Sequence, residues 1–150
     1  MEKFHEKLKM LRKKQGLTQK EVADLVHVER VRYTNWEIGK RKPNFDNLSM
    51  LACIFDVSID FLLSDYIEIS KDKYLKMQES DLIISNVFPQ RLKEVRIKRG
   101  LTQTELGEKV GVKQNTFTNW EKGKREPSFE NLIKLADLLE VSLDWLFGRE

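Results

Sequence analysis

The sequence predicts an all-α protein built from two similar five-helix domains in tandem. Residues 4–63 recur at residues 88–147 without an insertion or deletion, always 84 positions later. Apolar residues in each copy follow the 3.6-residue period of a helix. A domain of about 60 residues is near the lower limit for independent folding, and helices are the usual way to reach it. We therefore expect domains at 4–63 and 88–147, joined by a linker at 64–87.

Composition excludes several classes of protein. The single cysteine, Cys53, cannot form an intramolecular disulfide, and no Cys/His cluster has the spacing of a zinc site. A glycine-rich phosphate loop and a nucleophile–base pair are also missing, so we expect no enzyme, no cofactor, no metal and no small-molecule ligand. Without an apolar run of about 18 residues or a signal-like start, we expect a cytoplasmic protein that does not contact membranes.

The first two helices of each copy carry clear boundary signals. In the first copy, Phe4, Leu8 and Leu11 form one apolar stripe, and Gly16 follows it where a glycine with positive φ commonly ends a helix. Thr18 with Glu21 is a capping box that opens the second helix. Thr102 with Glu105 repeats this box in the second copy.

A very short connection then leads to a third helix. His27 occupies the place of Gly111, so we expect a positive φ at both positions. Two helices joined by so few residues cross closely, and Ala23 and Gly107 supply the small residue that such a crossing needs. The third helix is expected to run to about Ile38 or Lys122, since a glycine follows each.

Two further helices complete each copy. Pro43-Asn44 and Pro127-Ser128 are expected to open the fourth helix, and Ser58 and Ser142 to cap the short fifth one. The linker is partly apolar, which predicts docking on a domain or a contact between two chains. A short helix is expected within it, at about residues 72–79.

The third helix separates two kinds of side chain. Tyr33 and Trp36, like Phe117 and Trp120, fall on the stripe that faces the core, which favours packing over base stacking for the tryptophans. Amides, hydroxyls and arginines, with one valine, fall on the other face. The polar groups among them hydrogen-bond to base edges in DNA, and an apolar side chain can contact the methyl group of thymine. The candidate base-reading residues are Arg30, Val31, Arg32, Thr34, Asn35, Gln114, Asn115, Thr116, Thr118 and Asn119.

The motifs around these helices resemble those of the lambda-repressor-like, Cro-type helix-turn-helix family of bacterial and phage regulators. The resemblance is carried by Gly16-Leu17-Thr18-Gln19, Trp36-Glu37 and Gly39-Lys40-Arg41 with Pro43, each repeated downstream. It covers about 120 of the 150 residues. It implies five-helix DNA-binding domains. The bases would be read mainly by Arg30, Val31 and Asn35 in the first copy and by Gln114, Asn115 and Asn119 in the second.

The resemblance also implies roles for the surrounding residues. Phosphate contacts are expected from Thr18, Gln19, Lys40, Arg41, Thr102, Gln103, Lys124 and Arg125. Buried ion pairs between the first and third helices are expected for Arg12 with Glu37 and for Arg96 with Glu121. The family often has a serine or threonine before the third helix, whereas this chain has Glu29 and Lys113 there.

Two functions follow from these observations. The first is a sequence-specific transcriptional regulator, a repressor of promoters, that binds double-stranded DNA as a homodimer or as a covalent pseudo-dimer. The alternative is an antitoxin-like interaction module in which one repeat binds DNA and the other binds a protein. The polar outward face of the third helix favours the first, because protein interfaces depend on aromatic or aliphatic anchors.

Overall fold

The computed structural model describes residues 3–64 and 87–149. The chain divides into two compact units, Met1–Ile84 (unit 1) and Ser85–Glu150 (unit 2). Helices account for the regular structure of the described residues, and no strand occurs among them. The predicted all-α fold is confirmed. The helix predicted at 72–79 lies outside the described residues.

Each unit contains five helices in the same order. Unit 1 consists of α1 (Phe4–Lys14), α2 (Gln19–Leu25), α3 (Arg30–Glu37), α4 (Phe45–Phe55) and α5 (Ile59–Leu63). Unit 2 consists of α6 (Phe88–Lys98), α7 (Gln103–Val110), α8 (Gln114–Glu121), α9 (Phe129–Leu139) and α10 (Leu143–Leu146). The second and third helices of each unit pack on each other, and the first helix packs on the third.

The capping boxes position the second helix of each unit. Thr18 Oγ1 accepts the Glu21 N–H at 3.1 Å, and Glu21 Oε2 accepts the Thr18 N–H at 2.6 Å. The Thr102 and Glu105 box has distances of 3.1 and 2.7 Å. The hydrogen bond from the threonine backbone holds the pKa of each glutamate below its usual value.

The turn between the second and third helices has the predicted positive φ in both units. His27 has a φ of 57°, while Gly111 has a φ of 91° at the same place in unit 2. The chain then bends back so that the Val28 N–H donates to the Ala23 carbonyl at 2.9 Å. At Gly107 a Cβ would lie 3.2 Å from the Val112 carbonyl oxygen, so the close crossing does favour a small residue.

A cation joins the first helix of each unit to the last, a contact that was not predicted from the sequence. Lys7 is fully buried, and its Nζ donates to the carbonyls of Phe61, at 2.8 Å, and Ser64. Arg91 donates to the Trp145 carbonyl at 2.7 Å and lies over the indole ring. A cation recurs at the two positions, but this signal does not distinguish them, because exposed pairs such as Lys9 and Lys93 recur as well.

No helix of the described residues is both long and apolar enough to cross a membrane. Within residues 3–64 and 87–149, no group of three or more His, Cys, Asp or Glu side chains could hold a metal ion.

Candidate nucleic-acid interface

The inward faces of α3 and α8 anchor these helices in the core of their units. Tyr33 and Phe117 are fully buried, and Trp36 and Trp120 are nearly so. The Tyr33 and Trp36 rings meet edge to face, with centroids 5.9 Å apart. The tryptophans are therefore core residues, as predicted, and neither can stack on a base.

The outward faces carry most of the predicted base-reading residues on the surface. Exposed side chains on α3 and α8 are Arg30, Val31, Arg32, Gln114, Asn115 and Thr116. Asn35 and Asn119 are half-buried, one turn further along, and so are Thr34 and Thr118. Each unit thus presents the first turn of its third helix most openly.

Thr34 and Thr118 make contacts within their units that the sequence analysis did not anticipate. The Thr34 hydroxyl donates to Gln19 Oε1 at 3.1 Å, and Gln19 Nε2 donates to Glu37 Oε2 at 2.9 Å. In unit 2 the corresponding distances are 2.9 and 2.5 Å. Each threonine therefore fixes the orientation of a glutamine amide, and its hydroxyl hydrogen is already used. One N–H of each amide remains for another acceptor.

The predicted ion pairs are present and join the first helix to the third. Arg12 Nε lies 2.5 Å from Glu37 Oε1, and Arg12 Nη2 lies 3.2 Å from Glu37 Oε2. The same guanidinium donates to the Leu17 carbonyl at 2.9 Å. Arg96 and Glu121 repeat the pair at 2.6 and 3.4 Å.

Glu37 is ionised in spite of its burial. The hydrogen bond to Glu37 raises the pKa of Arg12 above its usual value. Burial by itself raises the pKa of Glu37, but the hydrogen bonds from Arg12 and Gln19 outweigh it and leave the pKa below its usual value. The carboxylate thus holds the first, second and third helices of unit 1 together as a charged centre.

The basic loops follow directly from the outward face of the third helix. The Asn35 carbonyl accepts the backbone N–H groups of Lys40 at 2.9 Å and Arg41 at 3.1 Å. The Asn119 carbonyl holds the second loop, with the Lys124 N–H at 2.9 Å and the Arg125 N–H at 3.3 Å. All four cationic side chains are exposed. The loops therefore keep two cations beside each third helix.

Two concavities flank the exposed turn of α3. One is lined by Thr18, Gln19, Lys20 and Arg30, which places the Arg30 side chain beside the predicted phosphate-contacting residues. The other is lined by Glu29, Val31, Arg32, Asn35 and Arg41. Lys20 was not predicted to line this surface, although its position directly after Gln19 was a usable signal.

The model of the helix-turn-helix family matches residues 8–62 and again residues 92–146. The chain belongs to this family. The matched ranges contain the second and third helices of both units, which are the helix-turn-helix pairs. The predicted family and the predicted tandem arrangement of two helix-turn-helix domains are confirmed.

Several relatives of this helix-turn-helix protein are transcriptional regulators. The chain is 43% identical over 60 residues to the HTH-type transcriptional regulator ImmR of Bacillus subtilis. The aligned residues make up 40% of this chain and 47% of ImmR. It is 37% identical over 60 residues to the cryptic phage CTXphi transcriptional repressor RstR of Vibrio cholerae. Here the aligned residues make up 40% of this chain and 54% of RstR. The chain thus spans about half the length of these relatives.

Two further comparisons add an activator and a solved structure. The chain is 43% identical over 61 residues to the HTH-type transcriptional activator BcrR of Enterococcus faecalis, which is 41% of this chain and 30% of BcrR. A crystal structure of the P22 c2 repressor with a synthetic operator aligns with 44% of this chain and 100% of its own, at 32% identity and a TM-score of 0.42.

Proposed function

We propose that this protein is a sequence-specific, double-stranded DNA-binding transcriptional repressor that reads the major groove with α3 and α8. The observation that carries the proposal is the difference between the two faces of the third helix in each unit. Its inward face is packed against the core, while its outward face presents amide, hydroxyl and guanidinium groups next to a loop with two exposed cations. A helix with side chains is about as wide as the major groove of B-DNA, so the outward face can reach base edges.

The base-reading roles follow from the chemistry of the exposed groups. Gln114, Asn115 and Asn119 carry amides, which pair with the N6 and N7 edge of adenine. Arg30 suits guanine, and Val31 suits the methyl group of thymine. Because the two units present different groups at equivalent positions, they read different sequences. Operators with two unlike halves are the expected targets.

Phosphate contacts orient the units on the duplex. Lys40 and Arg41, with Lys124 and Arg125, provide cations that neutralise phosphates on the strand beside the third helix. Gln19 and Gln103 add neutral donors, since each amide keeps one N–H after its bond to the buried glutamate. Thr18 and Thr102 lie next to these glutamines and complete the proposed phosphate surface.

Repression is the proposed direction of regulation, through occupation of the DNA that polymerase needs. RstR is named as a repressor, while BcrR is named as an activator. A promoter–reporter assay with the selected operator separates the two, since a repressor lowers and an activator raises expression.

Selection of the full chain on randomised DNA tests the proposal. We expect one enriched site, and the affinity for it should fall as salt rises. Each phosphate contact should contribute about −0.9 to the slope of log affinity against log salt concentration. Two unlike half-sites support a covalent pseudo-dimer, and a palindrome supports a homodimer of chains. Replacing Gln114 and Asn115 with Ala should weaken binding more than replacing Arg30 and Val31. Lys134→Ala on α9, outside the proposed interface, is the matched control.

An antitoxin-like interaction module is the second candidate, and one observation favours it. Unit 1 exposes Leu25, Val31 and Ile38 at 49, 68 and 61%. Unit 2 has Lys109, Asn115 and Lys122 at the equivalent places, all exposed and polar. If unit 1 binds a protein partner instead of DNA, replacing Arg30 and Val31 leaves DNA affinity unchanged while replacing Gln114 and Asn115 removes it.

A further inference from the structure

The residue that begins the third helix does not act as a cap in either unit. At the start of the second, fourth and fifth helices, the N-cap side chain accepts a backbone N–H, and these capping residues are Thr18, Asn44, Ser58, Thr102, Ser128 and Ser142. Glu29 and Lys113 stand at the N-cap of α3 and α8 and make no such bond. The N-cap side chains of the first helices, Lys3 and Val87, accept no such hydrogen bond either. Since a capping side chain typically stabilises a helix, neither Glu29 nor Lys113 is explained by helix stability.

Glu29 and Lys113 start from the same backbone geometry but carry opposite charges. Their φ and ψ angles are −67° and 146° for Glu29 and −73° and 154° for Lys113. Both side chains are exposed. Each comes directly before the first proposed base-reading residue of its unit, Arg30 or Gln114. The two units therefore place opposite charges at one equivalent point of the proposed DNA surface.

The surroundings of Glu29 place it on the side of α3 that faces the proposed groove. It lines one concavity together with Val31, Arg32, Asn35 and Arg41. A carboxylate at this point is repelled by phosphates, so a phosphate contact does not account for it. It can accept a hydrogen bond from the exocyclic amine of a base, whereas the ammonium of Lys113 can donate to O6 and N7 of guanine.

We propose that Glu29 and Lys113 are specificity-determining residues of opposite preference. Glu29 selects a base that presents an amine in the major groove, cytosine or adenine, in the half-site read by unit 1. Lys113 selects guanine at the equivalent position in the half-site read by unit 2. The N-terminal residues of a recognition helix are those that usually reach base edges. This inference depends on the proposed DNA-binding function and adds a base preference to it.

Reciprocal charge reversal in the full chain tests the inference. Glu29→Lys, Lys113→Glu and the double variant are each put through the same selection on randomised DNA as the wild-type protein. We expect Glu29→Lys to change one position of one half-site from cytosine or adenine to guanine, and Lys113→Glu to make the opposite change in the other half-site. The discrimination between matched and mismatched operators should change by about 5- to 150-fold.

Two measurements distinguish a change of base preference from misfolding and from a uniform gain of phosphate attraction. Circular dichroism and thermal unfolding check that each variant is folded, which is expected because neither side chain is buried or used as a cap. Affinity for an unrelated duplex records any gain that Glu29→Lys makes through phosphates alone. An unchanged base preference, or the same gain on every duplex, overturns the inference while leaving the proposed function intact. If the wild-type protein enriches no sequence, the proposed function itself fails.

Discussion

Replacing Glu37 with Gln should remove most of the stability of unit 1. The side chains of Arg12 and Glu37 are 12 and 2% exposed, so the substitution leaves the guanidinium of Arg12 without its carboxylate in a largely buried place. Breaking such a pair from one side typically costs about 3–5 kcal/mol. A unit of about 60 residues has a total free energy of unfolding of roughly 3–9 kcal/mol. The expected loss is therefore comparable with the whole.

Urea denaturation followed by tryptophan fluorescence measures this loss. Trp36 is in unit 1, whereas Trp120 and Trp145, the other two tryptophans of the chain, are in unit 2. In Glu37→Gln, the Trp36 signal should be that of unfolded protein at little or no urea, while a transition of unit 2 persists. Glu121→Gln is the matched control, because it breaks the equivalent pair in the other unit and should reverse this pattern.

A second variant distinguishes an unpaired charge from a simple loss of packing. Arg12→Met combined with Glu37→Leu removes both charges and should recover most of the stability, since apolar replacement of a buried pair is often neutral. It should fall short by about 2 kcal/mol, because the Leu17 carbonyl loses its donor and the Gln19 amide loses its acceptor. A loss below about 1 kcal/mol in Glu37→Gln, or a double variant no more stable than the single one, would refute the reasoning.

Three further predictions concern charge, strain and acid. Lys40→Ala and Arg41→Ala should each make the slope of log affinity against log salt less negative by about 0.9, and an unchanged slope on the selected operator contradicts the phosphate contacts. His27→Gly should stabilise unit 1 by up to about 1 kcal/mol in urea unfolding, because glycine adopts the φ of 57° at this position without steric cost. Gly111→His should destabilise unit 2 for the converse reason. The pKa of Glu37 lies below its ordinary value of 4.5 in the folded state, so its stabilising effect is complete above pH 4.5 and disappears as pH falls through the lower, folded value. Unfolding midpoints of unit 1 measured across this range should fall more steeply for wild-type protein than for the double variant Arg12→Met with Glu37→Leu, which lacks the titrating carboxyl group.

The fold could be predicted from the sequence because its signals are local. Capping boxes at Thr18 and Thr102 fix where a helix begins, and glycines fix where one ends. Because His27 occupies the position that is equivalent to Gly111 in the repeat, a positive φ could be predicted for it. Duplication helped, since each signal could be checked at a position 84 residues away.

The polar contacts of the site were harder to predict because they depend on tertiary distances. Thr34 has the spacing of an outward residue, yet its hydroxyl meets Gln19 from the neighbouring helix. Lys7 is of a residue type that is usually exposed, yet it is buried against the end of α5. Neither contact changes the hydrophobic period on which the predictions were based. Side chains with long stems reach partners that no local pattern records.

The first helix of unit 1 connects two distant parts of its fold. Lys7 holds the carbonyl of Ser64, the last described residue of the unit, and Arg12 holds Glu37 at the end of α3. Both cations project from one continuous helix, so Ser64 and the helix proposed to enter the groove are both attached to α1. A force that pulls on the chain at Ser64 is thus transmitted to α3 through the Lys7–Ser64 and Arg12–Glu37 contacts and about one and a half turns of α1.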